Sequence, residues 1–364
     1  MRKWLIALCV GGLFLASGCS EKDDGGPPVQ VSGDASNQNQ APAGSLTPAQ
    51  LFEANQDLGD LYDLTRVGDS NHIYAASDGQ PFVVHFTDSA GGEVTLQETA
   101  EVDWQAGADS LAVLEGGEKL LAKKVDVTQS LTSFDRDPST GKLTKSGSGM
   151  IIPAAEEMVA SPDGKHLYGL TGKLDTVVTY EPNAEGWGRT SEKEFIDRSG
   201  VISTGGGSVA VSPDGSSVYA TGPRLSGNDN APTNQIHVFS RNKQDGSLQE
   251  VEVHKPDEGG VDLPYKLSTA AVSPDGSKYY VGGPQDVTGG KIAVFERDES
   301  TGKLTYSDTY ELAAPDFIKR ETQEAQQAGE IGPTGVQPTS ILPDGNRVHI
   351  TVKKTDAVLT FELE

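Results

Sequence analysis

The sequence predicts an all-β fold: a β-propeller of four-stranded antiparallel blades, six favoured over seven, in a ring closed by the N-terminal strand. Three observations predict it. A Pro-Asp-Gly turn recurs, each copy followed by two short β-rich runs, the second ending on an aromatic residue. A Gly-x-Leu turn then opens a further strand in most copies. The last repeat lacks that further strand, and a matching segment stands ahead of the first repeat. Four short strands recurring along a chain are the mark of a propeller blade.

The turn is clearest at residues 159–164, 211–215, 272–276 and 341–345, before HLYGL, SVYAT, KYYVG and RVHIT. Weaker copies, Gly68-Asp69-Ser70-Asn71 and Glu115-Gly116-Gly117-Glu118, precede HIYAA and KLLAK. Pro presets φ, Asp hydrogen-bonds its own backbone, and Gly accepts positive φ, so the motif reverses the chain between strands. The next runs, PFVVHF, SLTSF, TVVTY, QIHVF, KIAVF and AVLTF, alternate as strands of a layered sheet do. Gly92-Glu93-Val94, Gly141-Lys142-Leu143, Gly246-Ser247-Leu248 and Gly302-Lys303-Leu304 begin the fourth strands. The chain stops at AVLTFELE, and Gly44-Ser45-Leu46-Thr47-Pro48 supplies the missing strand from the other end. A degenerate seventh blade would have to lie in residues 313–335, where KRETQEAQQAGE reads as helical.

Residues 1–18 read as a signal peptide: Arg2 and Lys3, an apolar run too short to span a bilayer, then Ala16-Ser17-Gly18. Cys19 follows, resembling the lipid-modified cysteine of bacterial lipoproteins, with Leu15 one place further upstream than the usual pattern. Ser20 resembles the outer-membrane sorting signal, so the expected location is the cell envelope, anchored through lipid on Cys19. Residues 19–43 are rich in Gly, Pro, Asn, Gln, Ser and Asp and read as a tether. Residues 44–364 form the single propeller domain. The other cysteine, Cys9, falls in the signal, so disulfides and cysteine metal sites are not expected. The formal charge of −24 argues against nucleic acid as a partner.

The series SPDGKHLY, SPDGSSVY and SPDGSKYY, with IHVFSRNKQDGSL, IAVFERDESTGKL and SFDRDPSTGKL, resembles the lactonase-like propeller superfamily of phosphogluconolactonases and YVTN-repeat surface proteins. The resemblance implies the architecture and suggests lactone hydrolysis. Its members are usually seven-bladed, and the six repeats here depart from that.

Tight turns all fall on one face of such a ring, and long insertions on the other, which is the expected functional surface. The candidate ligand-binding residues there are Lys124, Asp126, Lys173, Asp175, Arg224, Asp229, Arg320, Lys354 and Asp356. Lys124-Val125-Asp126 and Lys354-Thr355-Asp356 share a repeat position that Lys173-Leu174-Asp175 nearly matches. They could ring the mouth for an anionic ligand, or be solvated Lys/Asp pairs beside a turn, the reading that carries more weight. Arg224 and Arg320 could clamp a carboxylate. Asp229, within Gly227-Asn228-Asp229-Asn230, offers oxygens but lacks a full calcium-loop spacing. His72, His166 and His349 read as equivalent positions after the turn, explained by the repeat. No metal, cofactor or catalytic constellation is expected from motifs. Two functions remain open. One is an envelope lipoprotein, monomeric, binding a protein, peptide or glycan through the long-loop face; the alternative is a hydrolase of a sugar lactone.

Overall fold

The computed structural model describes residues 46–53, 57–68, 70–104, 107–124, 130–152, 157–171, 175–184, 186–195, 202–203, 207–222, 225–226, 234–285, 289–328 and 336–363. Within them the predicted repeat becomes six antiparallel four-stranded blades. Blade 1 runs Asp60–Arg66, His72–Asp78, Phe82–Asp88 and Val94–Glu101; blade 2 runs Ser110–Leu114, Lys119–Lys123, Ser130–Arg136 and Leu143–Ile151. Blade 3 comprises Met158–Ala160, Leu167–Leu170, Thr176–Asn183 and Gly186–Glu194; blade 4 comprises Ser208–Val211, Ser217–Thr221, Ile236–Arg241 and Leu248–His254. Blade 5 is Thr269–Val272, Lys278–Pro284, Gly290–Arg297 and Leu304–Leu312.

Blade 6 has Pro338–Asp344, Arg347–Val352 and Ala357–Glu362, and its outer strand is Gln50–Glu53 from the start of the domain. Gln50 pairs with Thr360 and Glu53 with Ala357, so the two ends of the domain share one sheet. The first strands of neighbouring blades touch in cyclic order, blade 6 returning to blade 1. They are the inner strands that line the axis. The expected closure is the observed one.

The core is distributed rather than central. Six apolar clusters are present among the described residues, and each fills one seam between adjacent blades. The aromatic that ends each third strand lies in these seams: Phe86, Phe134, Tyr180, Phe239, Phe295 and Phe361 are all at most 1 % exposed. In blades 1 to 5 a bulge in the pairing with the fourth strand falls just before that residue. Bulges increase local twist, which the fan-like stacking of blades demands. Residues 316–328 form the helix Asp316–Ala328, whose Phe317 and Ile318 enter the seam between blades 5 and 6. The segment that could have held a seventh blade is helical over these residues.

Three seams are also clamped by a repeated polar joint. Tyr74 of blade 1 donates its hydroxyl to the Gly141 carbonyl of blade 2 (2.6 Å) and accepts from Arg136 Nε (2.7 Å), whose Nη1 donates to the Gly117 carbonyl. The same joint is built by Tyr168, Arg241, Gly246 and Gly215 across blades 3 and 4, and by Tyr219, Arg297, Gly302 and Gly276 across blades 4 and 5. In the latter two, Arg241 also pairs with Asp163 and Arg297 with Asp214, the aspartates of the preceding Pro-Asp-Gly turns. Against the cost of burial, hydrogen bonds from Ser161, the Lys165 N–H and Arg241 hold Asp163 down at about 2.

One sequence reading needs correction here. His72 pairs with Thr87 and lies at the strand start, whereas His349 pairs with Thr360. That register makes His349 the counterpart of Tyr74, which pairs with His85, and not of His72. The turn itself carries this register: His349 stands six residues after Pro343, as Tyr168 stands six after Pro162, whereas His166 stands only four after it.

Candidate functional site

Towards the insertion face each blade places a residue with a side-chain oxygen in or just ahead of its inner strand: Asp63, Ser110, Glu157, Ser208, Thr269 and Ser340. Those oxygens form a closed relay around the axis. Asp63 accepts the Leu111 N–H (2.8 Å), Ser110 the Met158 N–H (3.1 Å) and Glu157 the Val209 N–H (3.1 Å). Ser208 accepts from Ala270 (3.0 Å), Thr269 from Ile341 (3.0 Å) and Ser340 from Leu64 (2.9 Å). Each blade thereby satisfies a backbone donor of the next, a donor that would otherwise be buried without a partner.

Two of the six stations are acids, on blades 1 and 3, with Ser110 between them. Ser110 Oγ lies 3.4 Å from Asp63 Oδ2 and 3.3 Å from the carbonyl of Met158, the residue after Glu157. Both acids line an axial cavity of 460 Å³ that extends to the prolines of the Pro-Asp-Gly turns. Burial pushes Asp63 up to about 6 despite hydrogen bonds from the Leu111 N–H, Ser340 and Ser110. Burial, then the charge of Asp63, pushes Glu157 up to about 8, against hydrogen bonds from Ser208 and Val209 and the nearby Lys123. At neutral pH the first is mostly ionised and the second mostly protonated. Carboxyl groups set apart in this way within a cavity can act as a base and an acid.

The residues singled out from sequence, where they are described, lie apart from the two acids. Lys124 is held between blades, its Nζ 2.7 Å from Asp78 and 2.8 Å from Asp109. Asp175 is buried and accepts from Thr171 and Thr176 (3.1 and 3.0 Å). Lys354 and Asp356 both act electrostatically on Asp60, whose carboxyl is raised first by burial. Arg320 is exposed on the helix Asp316–Ala328. Asp126, Lys173, Arg224, Asp229 and Cys19 lie outside the described residues. Asp63 and Glu157 were not among the candidates. A signal existed: in three repeats the acceptor stands five residues ahead of the turn proline, as Glu157, Ser208 and Thr269. Its identity varies among Asp, Glu, Ser and Thr, which hides it from a search for repeated letters.

Asp88, Asp344 and His349 meet at the seam between blades 6 and 1 with ligand atoms within 4.8 Å of one another. Two arginines already serve those carboxylates: Arg66 Nη2 lies 2.6 Å from Asp88, and Arg347 Nη2 lies 2.8 Å from Asp344. Both carboxylates are thus already paired with guanidinium groups.

Residues 157–319, which span blades 3 to 5 and reach into the helix, match the family described as lactonase, 7-bladed beta-propeller. Over those residues the chain is similar to the lactonase propellers. It departs from that family's description in having six blades among the described residues. The Pseudomonas aeruginosa periplasmic gluconolactonase PpgL is similar in structure: TM-score 0.52, 16% identity, over 83% of this chain and 81% of that one. A functionally unknown protein from Desulfotomaculum acetoxidans matches at TM-score 0.52 and 15% identity, over 86% of this chain and 88% of the other. The Cps50 (Swd1) propeller domain of Myceliophteria thermophila matches at TM-score 0.50 and 10% identity, over 87% and 99% of the two chains. Propellers this different fit about equally well, so these likenesses establish the fold and no more. No curated protein matches the sequence.

Proposed function

We propose that this lactonase-like propeller hydrolyses a lactone, with Asp63 as general base and Glu157 as general acid. Of the two functions the sequence leaves open, the family match favours this one over the binding module. The observation that carries the site is the pair of axial carboxyls raised to about 6 and about 8 beside one cavity. In the reaction, water attacks the acyl carbon while the Asp63 carboxylate takes its proton. The tetrahedral adduct collapses, the ring C–O bond breaks, and Glu157 donates its proton to the departing oxygen. The product is the open hydroxy acid, one water having been consumed. Proton return from Asp63 to Glu157 through solvent restores the starting state. General acid–base groups of this kind contribute about 10²–10⁴-fold each.

Purified protein is given a panel of lactones and acid release is followed. Turnover that falls by about 10²-fold or more in Asp63→Asn and Glu157→Gln supports the assignment. Full activity in both variants removes these residues from the chemistry. We further propose attachment to the envelope through lipid on Cys19; mass spectrometry of the native N-terminus tests it, and an unmodified start elsewhere refutes it.

A further inference from the structure

The walls of the axial cavity bear on which lactone could enter it. Past the relay, the inner strands present Thr65 on blade 1 and aliphatic counterparts on the other blades, among them Val159, Ala271 and Leu342. One residue further, Arg66 is matched by Val113, Val211 and Val272 on blades 2, 4 and 5. These aliphatic side chains keep part of their surface on the cavity. Arg66 is the one cation among its described lining residues, and its guanidinium is already engaged by Asp88 (2.6 Å) and Asp344 (3.5 Å). The remaining charged lining groups are Asp63 and Glu157 themselves. A dianionic phosphate in this space would meet a carboxylate, and the one lining cation already shares its charge with two aspartates, in a medium that screens charge poorly. The valine side chains past the relay give an alkyl chain a surface to lie on and give a ring hydroxyl no partner.

We propose that the cavity takes an uncharged lactone bearing an aliphatic substituent, in preference to a sugar lactone or its phosphate. This inference rests on the lactonase reading for the chemistry, but the selectivity of the cavity can be measured without it. The alkyl chain would lie along the valines while the ring reaches the two acids.

The full-length protein is assayed with δ-lactones of increasing alkyl chain length, with gluconolactone, and with its 6-phosphate. The expected result is a kcat/KM that rises about threefold to fourfold per added methylene until the chain outgrows the cavity. The phosphorylated sugar lactone should be at least about tenfold poorer than the unphosphorylated one, because its charge is unpaired. A flat chain-length dependence, or a phosphate preferred over its parent, overturns the proposal and leaves the hydrolase reading intact. If nothing is hydrolysed, the hydrolase reading falls. Calorimetric binding of the same lactones to Glu157→Gln then decides the ligand class. Affinity that climbs with chain length sustains it, and absent or phosphate-favouring binding overturns it. Thermal melts of the variant confirm that it is folded.

Discussion

Replacing Glu157 with Gln should make the protein more stable while removing its activity. The carboxyl is raised from its ordinary 4.5 to about 8 by burial and by the charge of Asp63. Between those values the native state holds a proton that the unfolded chain has released. Stability therefore falls as pH rises through this window, fully present below 4.5 and lost by about 8. At pH 7 the gap to the unfolded value is about 2.5 units, equivalent to about 3 kcal/mol at about 1.4 kcal/mol per unit. Gln keeps the shape and an oxygen for the Val209 N–H, and it has no charge to bury. The expected gain is about 2–3 kcal/mol at pH 7, somewhat more above pH 8, and near zero at pH 4. Urea unfolding at these three pH values measures it, the midpoint moving while the slope stays constant. A Gln variant less stable than the parent at pH 8, or stabilised equally at pH 4, would refute the reasoning.

Asp63→Asn should abolish the acid limb of the kcat/KM profile, which in the parent falls below about pH 6 as Asp63 gains its proton; a limb that persists assigns it to another group. Arg241→Met should destabilise by about 1–3 kcal/mol, since it removes the bonds to the Tyr168 hydroxyl, Asp163 and the Gly215 carbonyl from a seam while Tyr168 and Asp163 keep their other partners; chemical unfolding shows whether the loss is that large. Gly302→Ala should cost about 1–3 kcal/mol, because φ is +73° and a methyl would press on Ser217; an unchanged midpoint would mean the turn relaxes freely.

The fold was legible because its defining signals are local and repeated. Pro-Asp-Gly dictates a reversal wherever it occurs, and the strand missing after Phe361 could be sought at the start of the domain, where Gly44-Ser45-Leu46 carries the matching turn. The seams were half legible: Tyr168, Tyr219, Arg241 and Arg297 are conspicuous in the repeats, but their partnership reaches across 73 and 78 residues and has no local signature. The axial acids were legible only as a spacing, Glu157 standing five residues ahead of its turn proline as Ser208 and Thr269 do. Asp63 and Glu157 stand in unremarkable stretches, and what perturbs them is depth within a ring assembled from six distant segments. Loop lysines such as Lys124 attracted notice by their repeated letters, yet that residue spends its charge on Asp78 and Asp109. His349 takes the place of the tyrosine of other blades, a substitution that counting from the turn proline reveals and grouping the histidines by type conceals.

The axial relay asks very little of any residue that takes part in it. A station needs one acceptor oxygen, whatever carries it, and Ser, Thr, Asp and Glu all qualify. Chemistry can therefore be installed at any station without disturbing how the circle is joined, and duplicated blades inherit six interchangeable sockets at the bore. The number of blades then acts as a ruler, fixing how far apart two such groups stand. A lineage that changed its blade count would alter the spacing of its acids in the same step.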